Sequence, residues 1–460
     1  MMPVHLRSRQ DFSLGSRPGL RPRLRACLIL VGVATASCIG PASAQIDYEA
    51  APIHYGRRPA DDRIATVARR LEKGTLQLES AARHGLLPAL LRALEIPVAS
   101  QCLVFSKTSF QSHRIDPAHP RAVYFNDDTY VGWLPDSRLI EFAAADADQG
   151  AVFYTLDDRP GAAPRIVRDV DQCLICHASQ RTQGVPGFLV RSVLTNPAGR
   201  FVSGAPTRVT DDASPFAERW GGWYVTGSHG SMRHLGNSTY PGQFFDAPLD
   251  VRAGANRATL PEVVAADRYP IASSDIVALL VLEHQTQMHN LITRAGFEAR
   301  AATHLDAAVG VPAGRSSEGT RHRIAQSAER LLRALLMADA IGFDSPVRGT
   351  SGFAAGFSAR GPHDALGRSL HELDLDRRLF AHSCSPLIHG AAFAGLPEAV
   401  KRQVGGGLHR LLCAGENVAG FEHLGRDDRE TIASILAATE PDFWWTFVVP
   451  PPVVAPPSPG

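Results

Sequence analysis

The sequence predicts an α+β fold, with an antiparallel β-rich unit set between N-terminal helices and a mainly helical C-terminal unit. Three observations carry that expectation. Apolar residues recur at near-helical spacing before residue 100, short β-branched and aromatic runs bounded by Pro, Asp, Asn and Gly fill the next stretch, and helical periodicity returns after Ser273. With 460 residues, 44% of them hydrophobic and 20% charged, the chain is long enough to bury a large core in two or three structural units.

Residues 1–44 read as a secretory signal peptide. Six arginines precede ACLILVGVATASCIGPASAQ, an apolar stretch ending in Ala42, Ser43 and Ala44 before Gln45. The stretch is shorter than the roughly 20 apolar residues that span a bilayer. A second reading makes Cys38 a lipidated N-terminus, although Thr35 stands where such a site usually has a larger aliphatic residue. The expected location is therefore periplasmic or secreted. No later stretch is apolar enough to predict a transmembrane segment in the mature chain. Without the leader, 41 basic and 45 acidic residues remain, so no basic surface for nucleic acid is implied.

Residues 45–100 are expected to form two or three short helices, because Asp61 to Leu94 carries a helical apolar pattern interrupted at Gly74 and Gly85. Residues 101–270 are the β-rich unit. CLVFSK, AVYFN, TYVGWL, LIEFAA and GAVFYTL alternate with turn residues, and FLVRSVLTNPAGRFVSGA reads as a hairpin around Asn196 to Gly199. Asp127 and Asp128 have the look of a metal or acid–base pair, yet Asn126 to Asp128 between two strand-like runs are better explained as a hairpin turn. WGGWYVTGSHGSMRHLGN, Trp220 to Asn237, predicts a short strand opening into a loop. Residues 271–445 are the helical unit, with Gly405 to Gly407 expected to mark a break between helices. Residues 446–460 form a proline-rich tail.

Seven cysteines occur, at 27, 38, 102, 173, 176, 384 and 413, and loss of the leader removes two. If Cys173 and Cys176 serve another purpose, a Cys384 to Cys413 disulfide is compatible with an oxidising compartment. The distinctive stretch is DQCLICHASQ, in which two cysteines three apart are followed at once by His177. CLICH matches the C-x-x-C-H pattern of c-type haem attachment. In that reading Cys173 and Cys176 reach the two vinyl groups of one porphyrin edge, and His177 falls beneath the iron as proximal ligand. Three other readings stand beside it. A zinc site would recruit His229 with His234 or His284 with His289, a thioredoxin-like dithiol would want a βαβ context, and two unrelated structural cysteines need neither.

CLICH thus resembles the c-type cytochromes, and the resemblance implies one covalent haem c held by Cys173 and Cys176 with His177 as axial ligand. Strands before the motif and a hairpin after it depart from the helical class I cytochrome c pattern. YFNDDTYVGW, RTQGVPGFLVRS and WGGWYVTGSHGSMRHLGN are also similar to a group of uncharacterised secreted bacterial proteins bearing one such motif.

The iron's opposite face would be filled by His, Met, water or an exogenous ligand. His229 and His234 are the first candidates for distal ligand, ahead of Met232, because Gly227, Gly230 and Gly236 would let the backbone approach a flat macrocycle. Glu283, His284, Met288 and His289 form a second cluster, on a helix whose apolar stripe points His284 and Met288 inward. Trp220, Trp223 and Tyr224 are candidates to wall a haem or to fill sheet core, and Arg181 and Arg191 are candidates to pair with propionates. The function expected is one-electron transfer with a redox partner protein. The alternative is a peroxidase-like haem enzyme or small-ligand sensor with an open distal site.

Overall fold

Why the middle of the chain becomes a sheet is visible strand by strand. In the computed structural model, which describes residues 46–159 and 163–449, six strands follow one another as an antiparallel meander. They are β1 (Cys102–Val104), β2 (Arg121–Phe125), β3 (Thr129–Trp133), β4 (Leu139–Asp146), β5 (Gly150–Asp157) and β6 (Ile166–Asp169). β4 alternates half-buried and buried side chains along its whole length, so one face is packed more deeply than the other. β2 and β3 are joined by Asn126 to Asp128, with Phe125 opposite Tyr130, and the hairpin turn expected there is formed. The turn at Asn196 to Gly199 is formed as well, closed by a bridge between Thr195 and Phe201. The strand pair beside it joins β7 (Arg191–Val193) to β8 (Thr207–Val209).

Two helices precede the sheet, α1 (Arg63–Glu72) and α2 (Leu87–Ala93). Asp62 caps α1 by accepting from the Ala65 N–H, and Ile64 and Val67 turn into the core. The sequence rightly predicts an α+β class with an antiparallel sheet.

The longest element is α4 (Ile276–Ala308), 33 residues and about 50 Å long at the usual rise. Asp275 starts it by accepting from Val277 and Ala278, and its other oxygen holds the Thr350 and Ser351 N–H groups. From Ile276 to Ile292 nearly every face of α4 is buried, because it runs between two apolar clusters. The first contains the sheet, α1 and α2. The second, reached from Met288 onward, contains α5 (Glu318–Leu335), α8 (Glu398–Leu408) and α9 (Arg426–Thr439). Between α5 and α8 lie the short helices α6 (Phe353–Ser358) and α7 (Ala391–Ala394).

The break expected at Gly405 to Gly407 does not occur. α8 runs through all three glycines and ends in a wider turn over His409–Cys413. A Cβ on Gly405 would stand 2.4 Å from the Phe447 carbonyl oxygen, and one on Gly407 would stand 2.3 Å from Leu332 Cδ2. Close packing at those two positions offsets the roughly 1 kcal/mol that a helical glycine costs against alanine. Nor is the Cys384 to Cys413 bridge formed. Cys384 is buried in the second core, Cys413 is exposed, and both are free thiols. The expected leader lies outside the described residues, as does most of the proline-rich tail, although Val448 still packs in the second core. No described helix is long and apolar enough to cross a membrane.

Candidate functional site

The motif begins where β6 ends. Asp169 accepts the Asp171 and Cys173 N–H groups at 3.0 and 3.2 Å, which turns the chain off the sheet edge and starts α3 (Leu174–His177). In a helical turn, residues three and four apart share a face, so Cys176 and His177 fall on the same side as Cys173. Leu174 anchors the turn in the first core, while Ile175 points outward at 80% exposure. Cys173 is half-buried, Cys176 is exposed, and both are free thiols.

A loop then brings the chain back. Ser179 and Thr182 cap each other's backbone in a capping box, and Gln183 and Gly184 adopt left-handed φ values of 62° and 75°. Gly187 returns to the motif and makes two bonds with His177: its N–H donates to the His177 carbonyl at 2.8 Å, and its own carbonyl accepts from His177 Nδ1 at 2.9 Å. A carbonyl can only accept, so Nδ1 carries the proton. Nε2 therefore presents a lone pair, and it makes no hydrogen bond among the described residues. The ring rests against Phe153 of β5, with centroids 4.9 Å apart. Burial holds the His177 pKa below the ordinary histidine value, with the Gly187 carbonyl acting in the opposite direction. Burial, helped by Asp169 and Glu141, pushes the Cys173 thiol up to about 12.

Charged groups border the turn. Arg121 of β2 pairs with Glu141 of β4 on the sheet face beside it, and its guanidinium occupies the space that a side chain on Gly132 would need. Arg191 lies over the exposed Phe201 ring at 5.9 Å, and its Nε is buried without a hydrogen-bond partner among the described residues. Its pKa is lowered, first by burial and then by Arg181, which is itself exposed.

His229 and His234 form a separate, buried pair with ring centroids 4.7 Å apart, set among Phe216 and Trp220. His229 Nε2 accepts the Asn256 N–H at 3.0 Å, so its proton sits on Nδ1. Neither nitrogen of His234 has a hydrogen-bond partner among the described residues, and burial drives its pKa down to about 3. Met232 belongs to the first core. The glycines of this loop serve protein packing: a side chain on Gly227 would strike Ile276 and the Arg348 carbonyl, and one on Gly230 would strike Ser345. Trp220, Trp223 and Tyr224 are all buried in the first core, and Trp223 Nε1 donates to the Arg191 carbonyl.

The second cluster on α4 is engaged in packing. His284 uses both nitrogens, on Asp212 Oδ2 and Ser385 Oγ at 2.7 Å each. Glu283 pairs with Arg219 at 2.8 Å, Met288 fills the second core, and His289 Nε2 donates to the Asp127 carbonyl. Asp127 is in the expected turn, and its carboxylate also faces Arg360 and His371 at 3.2 and 3.5 Å. Among the described residues, no three His, Cys, Asp or Glu side chains converge as a metal-binding group.

What the sequence did not reveal is the support behind His177. Gly187 and Phe153 lie in unremarkable stretches, and the one available signal was the turn-forming QGVPG that follows the motif. The donor set itself fits one c-type haem: two free thiols and an imidazole with an unbonded Nε2 share one helical turn at a partly open surface. In comparisons with known proteins, no family model, no curated protein and no solved structure matches the chain.

Proposed function

We propose that this chain is an exported monohaem c-type cytochrome that transfers single electrons to and from a redox partner protein. The observation that carries the reading is the tautomer of His177. Its Nδ1–H is held by the Gly187 carbonyl, which leaves the Nε2 lone pair for iron, and Cys173 and Cys176 stand on the same turn as free thiols.

In this reading Cys173 and Cys176 hold one haem c as thioethers and His177 is the axial ligand. Bound haem supplies a one-electron ferric–ferrous couple. The chain's own contribution is to orient the imidazole, to raise its basicity through the bond to Gly187, and to set charges nearby. Arg191, with an unpartnered Nε beside Cys176, is suited to a propionate, and the exposed Arg181 is a second candidate. The leader supports a periplasmic or secreted location, where c-type haem is attached. The composition of the mature chain gives no reason to invoke nucleic acid.

A second reading, a peroxidase-like enzyme or small-ligand sensor with an open distal side, draws on the engagement of the candidate distal residues. His229 Nε2 is already bonded to Asn256, and His234 is enclosed by aromatic rings. Carbon monoxide separates the two: rapid binding to the reduced protein favours the open site, and no binding favours a tightly held sixth ligand.

The test of the main reading is a pyridine haemochrome spectrum and haem stain on denatured protein from a host with cytochrome c maturation. Cys173→Ala with Cys176→Ala is the control. Covalent haem in the native chain alone is the expected result, followed by a reversible one-electron wave in voltammetry. Absence of haem despite competent maturation would remove the proposal.

A further inference from the structure

We propose that Asn290, on α4, is a positioning residue for His177, acting through the single peptide that joins Gly187 to Phe188. Asn290 is buried and grips Phe188 twice: Oδ1 accepts the Phe188 N–H at 2.8 Å, and Nδ2 donates to the Phe188 carbonyl at 2.9 Å. The Phe188 N–H and the Gly187 carbonyl belong to the same peptide plane, and in a trans peptide they point in opposite directions. Fixing the N–H toward Asn290 therefore fixes the carbonyl toward His177 Nδ1, where it accepts at 2.9 Å. The result is a continuous chain of hydrogen bonds from the amide of Asn290 through one peptide to the imidazole, in which each bond polarises the next.

Close packing makes the coupling tight. A Cβ on Gly187 would stand 2.3 Å from Asn290 Oδ1 and 3.0 Å from Thr182 Cβ, so glycine is what lets the peptide lie between them. The other anchors of the loop act on neighbouring peptides: Ala151 N–H donates to the Pro186 carbonyl, and Thr182 Oγ1 donates to the Val185 carbonyl. Among the described residues, Asn290 is the one that, besides His177 itself, binds the plane carrying the His177 acceptor. The long helix shared by the two cores is thereby tied to the motif.

The inference rests on the proposed haem reading for its functional consequence, because an oriented and polarised Nδ1–H makes the imidazole a stronger donor and favours ferric iron. The test uses Asn290→Leu, which keeps the volume and removes both bonds, and Asn290→Asp, which keeps the acceptor for the Phe188 N–H. On matured protein, Asn290→Leu should shift the ferric–ferrous equilibrium about tenfold toward ferrous iron, a rise of ~59 mV in reduction potential for one electron. Asn290→Asp should recover most of that shift. Nitrogen-15 imidazole spectra of the full-length chain without haem, taken above pH 8, should show the Nδ1–H tautomer of His177 in wild type and a shift toward Nε2–H in the leucine variant. If the leucine variant does not fold, Asn290→Ala is read in the same way. A folded variant lacking both bonds, with wild-type potential and wild-type tautomer, would overturn the role of Asn290. So would an aspartate variant no better than leucine. A wild-type chain without covalent haem would instead sink the functional proposal, and the tautomer measurement would still decide the role of Asn290.

Discussion

His177 and His284 are both imidazoles held by the fold, and they differ in what is left over. His284 is fully buried on α4 and spends both nitrogens, on Asp212 and Ser385. His177 is half-buried on a single helical turn and spends one, on Gly187. The first arrangement has the connectivity of a Ser-His-Asp triad, yet Ser385 is fully buried and its Oγ already accepts the Leu387 N–H as a helix cap. It joins the loop around Asp212 to α4 and to the segment before α7. The second arrangement keeps a lone pair available beside two thiols. A buried polar group is satisfied wherever the fold can manage it, so the nitrogen left unbonded is the more informative one.

Four perturbations probe this contrast. The largest effect is expected from Arg219→Met, which leaves the Glu283 carboxyl buried without its partner next to His284. It should cost about 3–5 kcal/mol in urea unfolding without altering any haem absorbance. Next comes the direct exchange of roles. His284→Ala should cost about 3 kcal/mol by removing the imidazole partner of both the Asp212 carboxylate and the Ser385 hydroxyl while preserving the Soret band, whereas His177→Ala should change the Soret band and cost little stability in the haem-free chain. If both variants shifted the absorbance equally, the distinction between the two histidines would fail.

A third test is the acid limb of stability. His234 and His289 are pushed down by burial to about 3 and about 4, below the ordinary 6.5 of an unfolded histidine. The unfolded chain therefore binds more protons between those values. Their contribution is complete above pH 6.5 and is lost as pH falls toward 4, by about 1.4 kcal/mol per pH unit for each group. Glu283, raised by burial to about 7, works in the opposite sense, losing stability as pH rises from its unfolded value toward 7. His234→Phe should flatten the acid limb by one proton, read as the pH dependence of the urea midpoint. An unchanged slope would mean that His234 is not buried neutral. The smallest effect concerns access alone. In the haem-free chain, iodoacetamide should label Cys176 and Cys413 quickly and leave Cys102 and Cys384 unmodified, as mass spectrometry of tryptic peptides would record.

The legible parts of the molecule were those governed by local rules. Asn126 to Asp128 announced a hairpin because turn residues between β-rich runs leave few alternatives, and Cys173, Cys176 and His177 could be expected to share one turn because they are adjacent in sequence. Gly405 to Gly407 misled for a physical reason. Glycine lowers helix propensity locally, but at two of those positions it is needed to let Phe447 and Leu332 approach, and tertiary packing overrode the propensity. The glycines around His229 misled in the same way, since the space they open is filled by Ile276, Arg348 and Ser345.

By itself the sequence determined the α+β class, the antiparallel sheet with five of its six strands, and the adjacency of Cys173, Cys176 and His177, because each is encoded in residues a few positions apart. Only the tertiary structure decided which nitrogen of His177 is free, because that depends on a carbonyl returned by a loop and on Asn290, a side chain from a helix about a hundred positions away. Hydrogen bonds of that separation leave no periodicity to read; they exist only once the sheet and α4 have packed.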